Sequence, residues 1–93
     1  MIRSFGDKDT DRLWNRERVA SIDPPIHRVA LRKLRQVGSA LTLDDLRIPP
    51  GNRREALKGD RTGQHSIRIN EQWRICFVWK DGGAEDVEVA DYH

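Results

Sequence analysis

Apolar and polar positions change their period twice along this chain, and the changes predict its elements. Ile2 and Ser4 alternate with Arg3 and Phe5, which reads as a short opening strand ended by Gly6. From Asp7 onward Thr10, Leu13, Trp14 and Val19 fall near helical spacing, and Asp7 and Asp9 stand where a helix dipole favours negative charge. A helix to about Val19 is expected. The second helix has marks at both ends: Asp23 as N-cap, Pro24 at the first helical position, and Gly38 as the left-handed residue that closes it. Between them Ile26, Val29, Ala30, Leu34 and Val37 form one apolar stripe, and Arg28, Arg32, Lys33 and Arg35 occupy the other faces. That basic back reads first as a solvated surface.

Residues 39–52 carry Ser39, Thr42, Asp44, Asp45, Pro49, Pro50 and Gly51, a connector with one helical turn around Leu43 to Leu46. The period then becomes two. Glu55-Ala56-Leu57-Lys58 reads as a short strand stopped by Gly59, and Asp60 to Gly63 as a turn into the strand His65 to Ile69. Trp73 to Trp79 is the strongest strand signal, and Val87 to Ala90 follows the Asp81-Gly82-Gly83 turn. A strand, two helices and then a run of antiparallel strands indicate one α+β domain over residues 1–93, with a helical layer on one sheet face.

Alternation also assigns faces. Ile67 and Ile69 should share the core with Trp73, Ile75, Phe77 and Trp79. That requires residues 69 and 73 to be the last facing pair, with Asn70-Glu71-Gln72 as the loop and Arg68 opposite Arg74 on the other face. A two-residue loop would place Arg68 among the apolar set, and burying an unpaired guanidinium costs several kcal/mol, roughly the penalty for breaking a buried ion pair. Lys58 joins the outer face if Leu57 points inward. Like charges on one face need neutralising, either by an anion such as phosphate or by Glu55, Glu88 and Asp91 as cross-strand partners.

Composition narrows the classes. The chain is 37% hydrophobic and 34% charged, with no apolar run long enough to span a bilayer, so a soluble protein is expected. No secretory pattern opens the sequence given, which makes the cytoplasm the expected compartment. The net charge of +2 hides a segregation: residues 51–80 hold seven basic residues against three acidic ones, and residues 81–93 hold five acidic residues and no Lys or Arg. Cys76 is the single cysteine and lies in an apolar strand, where packing is its expected role. His27, His65 and His93 lack metal-ligand spacing, so neither a metal nor another cofactor is expected. Trp14, Trp73 and Trp79 read as core or partner-facing anchors, and Gly59 and Gly63 as strand-reversal residues.

The ordered set Leu57-Lys58-Gly59-Asp60-Arg61-Thr62-Gly63, Ser66-Ile67-Arg68-Ile69, Trp73-Arg74-Ile75 and Asp91-Tyr92-His93 resembles the HigB toxins of the RelE/ParE superfamily. Ile2-Arg3-Ser4-Phe5 and Asp7-Lys8 through Leu13 extend the likeness over nearly the full chain. The resemblance implies a small RelE-like fold and a ribosome-dependent endoribonuclease that cuts messenger RNA in the decoding site. It also implies a HigA-like helix-turn-helix antitoxin, through which alone the protein would meet DNA. By position it carries over Lys58, Arg74, Asp91, Tyr92 and His93 as catalytic. Some family members have a histidine where this chain has Glu55, which leaves open whether Glu55 substitutes as a proton acceptor. Arg68, by the parity argument, and Arg61 and Arg54 are the expected RNA-binding cations.

Such chemistry needs no metal. A 2′-hydroxyl attacks the neighbouring phosphorus once a base removes its proton, while cations hold the non-bridging oxygens and an acid protonates the leaving oxygen. Lys58 and Arg74 fit charge stabilisation, the arginine through a bidentate contact. Asp91 or His93 would take the proton, and the α-carboxylate next to His93 would favour an imidazolium suited to an acid. Tyr92 offers a ring for an unstacked base and a hydroxyl for orientation. Alternation from Val87 and Val89 puts Asp91 and His93 on one face and Tyr92 on the other, so the strand end must twist, bulge or leave the sheet if all three contribute. Two other functions stay open: a ParE-like gyrase inhibitor that acts by binding, and an inactive toxin kept as a regulator.

Overall fold

Four strands, β1 (Glu55–Ala56), β2 (His65–Arg68), β3 (Trp73–Lys80) and β4 (Gly83–Asp91), lie side by side in chain order and antiparallel in the computed structural model, which describes residues 1–92. The β2–β3 pairing sets Ile67 against Ile75 and Arg68 against Arg74. The loop is the expected Asn70-Glu71-Gln72, closed by Asn70 Oδ1, which accepts from the N–H of Gln72 at 2.8 Å and of Trp73 at 2.7 Å. Ile67, Ile75 and Phe77 are fully buried on the helix side, each burial stabilising by about 1.5–3 kcal/mol. A one-residue slip would lose all of that and bury two guanidinium groups.

β4 carries an extra residue. Cys76 pairs with Glu88 but Val78 pairs with Glu85, so two residues of β4 oppose Phe77. Asp86 takes up the excess in the left-handed region, with φ 51°. The bulge lets both Ala84 and Val87 point into the core although three positions separate them. The free edge of β4 is occupied in turn. The Ala84 and Val87 N–H groups donate to the carbonyls of Met1 and Ser4, and the Val89 N–H donates to the buried Thr10 Oγ1 at 2.9 Å. The opening strand therefore exists as two parallel bridges, Ile2 to Ala84 and Phe5 to Val87.

Two helices, α1 (Lys8–Trp14) and α2 (His27–Ser39), cover the apolar face. Asp7 caps α1 through the Thr10 N–H. The helix stops well before Val19, because Arg16 turns left-handed with φ 64°, and Val19 reaches the core from the loop beyond. Asp23 makes no side-chain cap, and Pro24–Ile26 form a 3₁₀ turn ahead of α2. Gly38 does not end α2; the helix runs to Ser39 and leaves through an extended Ala40. Gly38 is a crossing residue, since a Cβ there would stand 3.2 Å from Trp14 Cη2. The turn at Leu43–Arg47 forms as expected, with a reciprocal Thr42–Asp45 capping box.

Lys33 departs from the basic back of α2. It is buried and donates to Asn52 Oδ1, while burial and the neighbouring Arg32 push its pKa below the ordinary lysine value. Asn52 is also fully buried and donates to Gln36 Oε1 and to the carbonyls of Leu46 and Ile48 at 3.2–3.3 Å, tying the connector to α2. Replacing Asn52 by Ala orphans a buried ammonium and should cost about 2–4 kcal/mol in urea unfolding. Lys33→Met, which orphans only a neutral oxygen, should cost less; equal losses would show that the pair is not the linchpin.

Candidate active site

The sheet face turned away from the helices collects the polar residues. Alternation places Ser66 and Arg68 of β2, Arg74 and Cys76 of β3, and Glu88 and Ala90 of β4 there. Arg74 is the best-held cation among them. Its Nε donates to Ser66 Oγ at 2.7 Å, its Nη2 donates to the Arg53 carbonyl at 2.8 Å, and the Glu55 carboxylate lies 3.5 Å from the same Nη2. The side chain is only 15% exposed, and Nη1 makes no hydrogen bond among the described residues. The guanidinium is thus fixed along one edge, with Nη1 uncommitted among the described residues.

Tyr92 lies beside it. Its N–H donates to the Gln72 carbonyl, and its hydroxyl sits 3.6 Å from Cys76 Sγ, so the phenol contacts the thiol. Burial pushes the Cys76 thiol up, against smaller opposing effects from Tyr92, Arg61 and Arg74. Burial and the Cys76 contact also push the Tyr92 phenol above its ordinary value, with Arg61 and Arg74 pulling the other way. In neutral solution the phenol keeps its proton and can donate.

Lys58, Asp60, Arg61, Asp91 and Tyr92 line one shallow concavity. Lys58 does not arrive there by strand alternation, because β1 ends at Ala56 and Leu57 stays outside the apolar cluster. It is the exposed residue that leads into the 3₁₀ turn Gly59–Arg61. Arg61 is tied by Gln64 Oε1 at 3.0 Å and by a close contact to Glu88, which raises its pKa. Asp91 pairs in register with Trp73 and accepts from Gln72 Nε2 at 3.2 Å. The bulge at Asp86 lies upstream and leaves the alternation from Val87 intact; Asp91 and Tyr92 share the concavity because the strand ends between them.

The remaining cations divide. Arg68 stands opposite Arg74 and makes no ion pair among the described residues. Arg54 lies against the helix-side face instead, where its Nη1 reaches His65 Nδ1 at 3.4 Å and His65 packs on Phe77. Burial, then Arg54, lowers the His65 pKa and favours the neutral ring that can accept this bond. His93 lies outside the described residues. Of the three carboxylates considered as neutralisers, Glu55 reaches Arg74 and Glu88 reaches Arg61. Among the described residues no group of three or more His, Cys, Asp or Glu is gathered as metal ligands. Ser66 and the Arg53 carbonyl are not among the site residues that the sequence predicts. Ser66 shares the parity of Arg68, a usable sign; a main-chain acceptor left none.

A second basic surface lies on the helical side. Arg16, Arg28, Leu31, Arg32 and Arg35 line one cleft, and Leu13, Arg18 and His27 extend an adjoining one. None of these arginines makes an ion pair among the described residues. Among the described residues no helix is long and apolar enough to cross a membrane.

The HigB-like toxin profile, described as a RelE-like toxin of type II toxin-antitoxin system HigB, matches residues 3–93. Toxin HigB-1 of Vibrio cholerae is 40% identical over 85 residues, 90% of each chain. The Endoribonuclease HigB of Proteus vulgaris is 46% identical over 37 residues, 40% of each chain. In fold the chain is similar to the YoeB-YefM complex from Staphylococcus aureus, with a TM-score of 0.61 at 16% identity over 100% of this chain and 95% of that one. It is also similar to YafQ from E. coli, with a TM-score of 0.57 at 15% identity over 98% and 91%. Two helices on a four-stranded antiparallel sheet are thus the RelE-like toxin fold, and the chain belongs to the HigB-like toxins of type II toxin-antitoxin systems.

Proposed function

We propose that this toxin is a ribosome-dependent messenger-RNA endoribonuclease that cleaves by 2′-hydroxyl attack without a metal. The observation that carries the reading is the gathering of Lys58, Arg61, Asp91 and Tyr92 around one concavity, with the Tyr92 hydroxyl against Cys76, two residues along β3 from Arg74. The name of the Proteus vulgaris relative, an endoribonuclease, supports it. A 2′-oxygen forms its bond to phosphorus as the bond to the 5′-oxygen breaks, leaving a 2′,3′-cyclic phosphate and a 5′-hydroxyl. Lys58 and Arg74 stabilise the charge that builds on the non-bridging oxygens. Asp91 or His93 takes the 2′-hydroxyl proton and the other serves the leaving oxygen, while the Tyr92 ring supports a displaced base.

The ribosome presents the message in its decoding site, and the arginines of α2 with the outer sheet face contact ribosomal RNA. A HigA-like helix-turn-helix antitoxin is the partner that restrains the toxin, and contact with DNA is indirect, through that complex. The protein works in the cytoplasm.

Induction of the chain without antitoxin should produce new message ends inside translated regions, with Lys58→Ala and Arg74→Ala each lowering cleavage by about 100-fold. Growth arrest with intact messages and trapped gyrase would overturn the reading. Reversing Arg28, Arg32 and Arg35 to Glu should weaken ribosome binding and flatten its log–log salt dependence by about one unit for each phosphate left without its cation. Because the Tyr92 phenol titrates above its ordinary value, Tyr92→Phe should leave the shape of the pH–rate profile unchanged between about pH 6 and 9. Loss in the variant of a limb that the unaltered toxin shows in that window would overturn this expectation.

A further inference from the structure

We infer that Ser66 is the positioning residue for Arg74, and that the clamp it heads leaves the arginine a single working edge; this rests on the ribonuclease reading above. Ser66 is fully buried although it points to the polar face of the sheet, between Glu55 of β1 and Cys76 of β3. Its hydroxyl accepts the Arg74 Nε–H at 2.7 Å. The Arg53 carbonyl accepts from Nη2 at 2.8 Å, delivered by a backbone turned left-handed at φ 44°. Nε and Nη2 form the side-on fork with which arginine usually grips a carboxylate or phosphate. Here that fork is occupied by the protein itself.

Two consequences follow for a phosphoryl group. It meets the tip of the guanidinium, where Nη1 has both N–H groups uncommitted among the described residues, and it meets a group already fixed in rotation. A free arginine loses side-chain entropy when it engages a transition state, whereas one held along an edge has largely lost it on folding. Glu55, 56% exposed at 3.5 Å, tempers the charge without fixing direction, as a loose ion pair in water does. The hydroxyl acts through Arg74 and touches no substrate.

The test combines kinetics with a direct probe of the clamp. Ser66→Ala should lower kcat on message-programmed ribosomes by about tenfold and leave KM within about twofold, since binding persists through the other cations. Added to Arg74→Ala under single-turnover conditions, the same substitution should cause no further loss; an equal loss in both backgrounds, or none in either, would overturn the inference. In the unaltered protein the Arg74 Nε–H should exchange with water about tenfold more slowly than that of Arg68, read by NMR. Equal exchange rates would also overturn it, even if Ser66→Ala fails to fold. Absence of cleavage by the unaltered toxin would instead sink the ribonuclease reading, and the exchange measurement would still decide whether Ser66 holds the arginine.

Discussion

The register of the β2–β3 hairpin is the constraint on which both faces of this molecule depend. Asn70 sets it by taking two successive N–H groups into one side-chain oxygen, which fixes an odd loop length. Given that loop, Ile67, Ile75 and Phe77 meet the helices, while Ser66, Arg68, Arg74 and Cys76 turn the other way. The dry core and the polar face are therefore one decision, made at three residues. Every distance around Arg74 inherits it.

The polar face is less cationic than a count of its arginines suggests. Glu55 and Glu88 stand against Arg74 and Arg61, so the positive charge of this face is partly balanced. Partly exposed pairs of this kind contribute about 0–1 kcal/mol each and are readily exchanged for another anion. Lys58 and Arg68 make no ion pair among the described residues. The arginines Arg16, Arg28, Arg32 and Arg35 of the helical surface make no ion pair among the described residues, although Glu17 lines the adjoining cleft.

Much of this was legible in the sequence where one physical rule governed alone. Strand alternation and the cost of burying a guanidinium were enough to place Arg68 opposite Arg74 and to size the loop. The helix ends were harder. Val19 kept helical spacing although Arg16 had already reversed the backbone, and Gly38 carried the mark of a cap while serving a crossing with Trp14. Lys33 looked like one more surface cation because its partner, Asn52, lies in a connector whose path no periodicity reveals. Lys58 lines the concavity by way of a 3₁₀ turn and not through a longer β1, a path that strand alternation does not describe. The acceptor at Arg53 is main chain, which every residue has and no side chain announces.

The extra residue at Asp86 makes strand length as informative as composition. Substitution there is a local matter of tolerating a left-handed backbone, which glycine or asparagine would accept readily. Deleting it would be a global matter. Ala84 and Val87 could no longer both face inward, so either the N-terminal bridges or the whole run from Val87 to Tyr92 would have to rotate to the opposite side. Among homologous chains this segment should therefore vary in identity far more freely than in the number of residues between the turn at Gly82 and the tyrosine.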